Sequence, residues 1–197
     1  MGLTIHYSGK FNPNASLSDM IDEVKDIASI YKWPFHVYET VFDKKLLGKK
    51  THNDSIYGIC FTPPGSETVH LSFLSNGRMS NAINLSFYGD SKNKDEQKYL
   101  YMLFTKTQFA GIEIHKLIVH ILKHIEKKYL LDFKVSDEGE YWEELDENKL
   151  AEKFRQYNFL LDSFTTALES FPIDKGENFE AYFIRLMEYV NKKFKEE

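Results

Sequence analysis

Leu3, Ile5 and Tyr7 alternate with Thr4, His6 and Ser8, the period-two pattern of a half-buried strand. After the turn residues Asn12-Pro13-Asn14 the period changes. Leu17, Met20, Ile21, Val24, Ile27, Ala28 and Tyr31 fall on one helical stripe, with Ser16 or Ser18 as its N-cap. Trp33-Pro34 closes this helix, because a residue before proline is pushed out of helical geometry. Strands are then predicted at 35–42, 56–62 and 69–73, separated by a basic loop at 43–55 and the turn Pro63-Pro64-Gly65-Ser66. Asn76-Gly77 marks a further turn, and Ile83, Leu85 and Phe87 alternate as another strand. Residues 99–107 are apolar on both faces and read as a central strand.

The last part of the chain returns to helical spacing. Ile114, Leu117, Ile118, Ile121 and Ile125 form a stripe across 111–130, and Phe133 and Val135 suggest a short strand. Leu150, Phe154, Tyr157, Leu161, Phe164 and Leu168 mark one closing helix. Phe179, Tyr182, Phe183, Leu186 and Val190 mark a second, after Pro172 and Gly176. The order predicts an α+β fold: an antiparallel or mixed sheet of about six to seven strands, helices mainly on one face, and a C-terminal helical hairpin. The expectation is a single domain over 1–197, with 172–197 as a helical extension packed on it.

Composition narrows the function classes. With 16 Phe and 12 Tyr, much of the core is expected to be aromatic. The net charge of -5 argues against a nucleic-acid partner. No stretch reaches the roughly 20 apolar residues that span a bilayer, so no membrane partner is expected. Met1-Gly2 has the start of a myristoylation signal, but His6 stands where that signal needs Ser or Thr. Cys60 is the single cysteine, which excludes an intramolecular disulfide and fits a cytoplasmic setting. Its neighbours Ile59 and Phe61 suggest inert packing.

Candidate chemistry falls in four places. Glu113, His120 and His124 share one side of a helix, but two ligands a turn apart and one carboxylate are too few for zinc. No metal and no cofactor is expected. The segment 137–147 carries Asp137, Glu138, Glu140, Glu143, Glu144, Asp146 and Glu147, with Tyr141 and Trp142 embedded among them. Such a run can hold a cation, supply acid/base carboxylates or grip a basic surface; equally, it can be a helix-entry loop whose acids favour a helix N-terminus. Lys106, Thr107 and Gln108 end a strand, a position suited to lining a pocket. His6, His70, Ser72, Asn84 and Ser86 alternate with core residues in the predicted strands, a pattern that allows them to converge on one sheet face. Nucleophile-elbow and phosphate-loop motifs are absent.

The opening Met1 to Tyr7, the segment Lys106-Thr107-Gln108-Phe109-Ala110, and the run from Val135 to Glu143 together resemble a family of uncharacterised bacterial proteins. The resemblance spans roughly residues 1 to 160. That family has no assigned activity, so what it implies is a grouping: His6, Lys106, Gln108, His115, Asp137, Glu138, Tyr141 and Trp142 as ligand-binding candidates. Two readings follow. One is a small-molecule-binding protein or metal-independent acid/base enzyme, with Lys106 neutralising Asp137. The other is an interaction module that holds a basic protein surface on the 137–147 loop.

Overall fold

The computed structural model describes residues 3–171 and 173–196, without the side chains of Val190 and 193–196. The Met1-Gly2 start, Pro172 and the place of Val190 in the last stripe therefore lie outside the described residues. The chain divides into two compact units, 1–150 and 151–197.

The first unit is built on two three-stranded antiparallel sheets. Strand β1 (Thr4–Phe11) is the centre of one, ordered β5-β1-β6, with β5 at Leu103–Lys106 and β6 at Leu130–Asp137. The other is ordered β2-β3-β4, from Phe35–Val37, Ile56–Phe61 and Val69–Leu74. The far half of β1 also bonds the turn after β4: Phe11 N–H donates to the Gly77 carbonyl at 2.7 Å, and Met79 N–H to that of Gly9 at 2.9 Å. Gly58 is obligatory within β3, because it has φ +105 and a Cβ there would stand 2.4 Å from the Leu71 carbonyl oxygen.

Helix α1 (Leu17–Ile30) forms as its stripe predicts, with Ser16 Oγ accepting from Asp19 N–H at 3.2 Å. It packs on β3 and buries Met20, Ile21 and Val24. Helix α4 (Ile112–Tyr129) packs on β6 and buries Ile118, Leu122 and Ile125. Leu3, Ile5, Ile59, Phe61, Leu71 and Phe73 fill the core. Each such side chain contributes roughly 1.5–3 kcal/mol by the apolar area it hides.

The α+β class holds, but the sheet is not one layer of six to seven strands. The segment read as a strand at Ile83, Leu85 and Phe87 is helix α2 (Ala82–Tyr88), started by Asn81, whose side chain accepts from Asn84 N–H at 2.7 Å. Ile83 and Phe87, four apart on this helix, are both exposed. The buried residue is Asn84, whose amide donates to the carbonyls of Tyr99 and Met102 at 3.0 and 2.9 Å. Those bonds hold a bend after the short helix α3 (Glu96–Tyr99), so the expected long central strand shrinks to the four residues of β5. Nor is β5 covered on both faces: Leu103 and Thr105 are buried while Phe104 is 54% exposed. The run 35–42 shortens to three residues in β2, and β6 extends well beyond Phe133 and Val135.

A short helix α5 (Tyr141–Glu144) precedes α6 (Glu147–Ser170). In the second unit α6 and α7 (Phe179–Glu196) pack as a helical hairpin around Ala167, Tyr182 and Leu186. Arg185 ties the connection through Glu177 at 2.6 Å. Phe179 and Phe183, expected to be buried, are 76% and 43% exposed; the hairpin closes on Tyr182 and Leu186 instead.

Candidate functional site

Strand register decides which candidate residues can meet. Thr4 pairs with Lys106 on one side of β1, and Ile5 pairs with Asp137 on the other. Side chains alternate along a strand, so Lys106 and Asp137 stand on opposite faces of the β5-β1-β6 sheet. The expected Lys106–Asp137 pair is therefore not formed. On the inner face the partner of Asp137 is His115 from α4, with Nε2 at 3.1 Å from Oδ2 and both side chains fully buried.

That contact belongs to a sealed clasp. His115 Nδ1 lies 2.7 Å from Thr107 Oγ1, which is 3.2 Å from the Leu3 carbonyl oxygen. Asp137 Oδ1 accepts from Gly139 N–H at 2.8 Å, and Oδ2 accepts from Tyr141 and Trp142 N–H, each at 3.0 Å. A carboxylate only accepts, so Nε2 of His115 carries the donated proton. Burial raises the Asp137 pKa, but the hydrogen bond from His115 and those from the backbone outweigh it and hold the carboxyl below its ordinary value of 3.8. Gly139 makes room for this: a Cβ there would stand 2.9 Å from His115 Nε2 and 2.8 Å from Leu150 Cδ1. Thr, His and Asp in contact have the makings of a catalytic relay, but no face of the group meets solvent. What the geometry performs is fastening: it ties the start of β1, the end of β5, α4 and the entry to α5 around one carboxylate.

The other candidates scatter. His6 is on the outer face of the sheet, its ring 6.1 Å from Phe104. Glu138 is exposed and clips the edge of β1, accepting from Thr4 N–H at 2.9 Å. Gln108 is buried, and its Oε1 has no hydrogen-bond partner among the described residues. Tyr141 is buried with its hydroxyl 3.3 Å from His120 Nε2. Trp142 is half-buried, 5.9 Å edge-on to Phe133, with Lys123 Nζ 4.4 Å above its ring. Asp146 accepts from Asn148 and Lys149 N–H at the entry to α6. Asp137 and Asp146 thus act as helix-entry acids, leaving Glu138, Glu140, Glu143, Glu144 and Glu147 on the surface.

Nor do the polar strand positions converge. Asn84 and Ser86 belong to α2, His6 to one sheet, and His70 and Ser72 to the other. His70 is held near pKa 4 by burial alone. His124 bonds Glu23 at 2.8 Å; Lys128 first, with Tyr129 and His124, overcomes the cost of burial and pulls that carboxyl down to about 2. Cys60 is buried, with Tyr38 Oη 3.5 Å from its sulfur.

Sequence reasoning missed a cleft of about 720 Å³ beside the N-terminus of α1. Phe11, Leu17, Val41, Phe42, Leu47 and Leu131 give it apolar walls, and Ser16, Ser18, Lys10 and Lys44 supply polar groups. The signal was faint: the apolar residues Val41 and Phe42 lead into the basic loop, and Leu47 lies within it. No known protein family, curated protein or solved structure matches this chain.

Proposed function

We propose that this protein binds a small amphipathic anion in the cleft beside α1 and performs no acid/base chemistry there. The observation that carries this reading is the lining itself. At about 720 Å³ the cleft has the size of a small-molecule site, its walls are mainly Phe, Leu and Val, and its charged residues are Lys10 and Lys44. It contains no His, Cys, Asp or Glu. A carboxylate or similar head would sit near the positive end of α1 and Lys44, with its apolar body on Phe42 and Leu47. Lys10 is bound to Asp132 at 2.8 Å, which leaves Lys44 as the stronger contributor.

Decanoate tests the reading. Backbone NMR of the whole chain is expected to show saturable shifts at Leu17, Ser18, Phe42 and Leu47, weaker with decanol and weaker again with Lys44→Glu. Shifts that never saturate, or that spread evenly outside the cleft, would overturn it. The reading of 137–147 as a grip for a basic protein surface draws support from the exposed Glu138, Glu140 and Glu143. It is the weaker reading, because Asp137, the most rigidly held acid of that run, is turned inward.

A further inference from the structure

The outer face of the β5-β1-β6 sheet carries exposed aromatic and cationic side chains together. Phe104 is 54% and Met102 49% exposed, and His6 stands beside Phe104. Two clefts, of about 170 and 410 Å³, run along β1 and share Ser8 and Lys134. The charged residues lining them are Lys10, Arg78 and Lys134 against a single carboxylate, Asp132, already engaged by Lys10. Tyr101 lies at the same end, with the Arg78 guanidinium 3.3 Å above its ring. Net charge averages the whole chain; this strip reverses its sign.

We propose that this face binds single-stranded nucleic acid, with bases stacking on Phe104 and His6 and phosphates meeting Lys134 and Arg78. Flat rings on an open antiparallel sheet offer stacking that any base can use, and flanking cations follow the backbone. A duplex hides its base faces and has no comparable fit. An acidic peptide would satisfy the cations but leave the rings unused.

Fluorescence anisotropy of a labelled oligouridine of about 12 nucleotides, at about 50 mM salt, tests this on the full chain. Saturable binding is expected, weakened roughly tenfold by Phe104→Ala, with the salt slope reduced by about one on Lys134→Ala. Phe104 is exposed, so an unchanged melting curve will show that the variant is folded. The proposal is overturned if no saturable binding occurs, if Phe104→Ala binds as the parent does, or if a polyglutamate peptide or a duplex of equal length competes equally well.

Discussion

Around Asp137 the polar groups have been withdrawn from water and matched to one another, whereas in the cleft beside α1 they stand at the edge of an opening whose walls are Phe and Leu. The two regions carry different duties. A carboxylate with four protein donors and no solvent has no capacity left for a substrate, and its removal is felt throughout the fold. A lysine facing an open cleft contributes little to folding and is free to meet a ligand. Charged residues beside a histidine were the natural place to look for chemistry; in this molecule they mark rigidity.

The contrast breaks most readily at the clasp. Asp137→Ala strands the His115 donor and three backbone N–H groups, and is expected to cost about 3–5 kcal/mol in urea unfolding. A loss near zero would mean that water enters and replaces the carboxylate.

Acid is expected to act in two stages. His70 has a folded pKa lowered from 6.5 to about 4, so the unfolded chain takes up its proton first, and stability falls as pH drops from about 6.5 to 4. Asp137 is also depressed, so its contribution is complete above 3.8 and is lost below it, as the carboxyl protonates in the folded state. Urea midpoints against pH should show both windows. His70→Gln should flatten the upper one, and Asp137→Asn should shrink the lower, which Glu23 shares through its own depressed carboxyl. A profile that is level from neutrality to about pH 4 contradicts the burial argument for His70.

Gly139→Ala sharpens the steric side of the clasp, since the new methyl meets Leu150 and the His115 ring. A loss of about 1–3 kcal/mol is expected, read as a lower melting temperature with unchanged secondary structure. The smallest effect belongs to the cleft: Lys44→Glu should leave stability within about 0.5 kcal/mol while weakening decanoate binding. A Lys44 variant that melts far below the parent would make the cleft a structural element instead of a ligand site.

Much of this fold was legible in the pattern of apolar residues. The stripes of α1 and α4 and the alternation in β1 each lie where spacing put them, because one-sided burial imposes a period. The misreadings have local causes. Ile83, Leu85 and Phe87 alternate, but Asn81 offers a cap, and two of the three apolar side chains remain outside. At the site, Asp137 and His115 were named, yet their pairing was not legible: it depends on register across β1, which no single segment encodes. The cleft was hidden for a related reason, since its walls come from four separate stretches of chain.

The place of β1 at the centre of its sheet has a consequence for synthesis. This strand is made before either of its neighbours, which begin at Leu103 and Leu130. Until both are made at least one of its edges lacks its partner strand, and closing the two means joining residues about a hundred or more positions apart, as in the Thr4–Glu138 contact. Loop closure over that span is slow and leaves strand edges available to other chains. A nascent chain halted before residue 103 thus displays a half-apolar strand with neither neighbour in place, the form of this protein most in need of a chaperone.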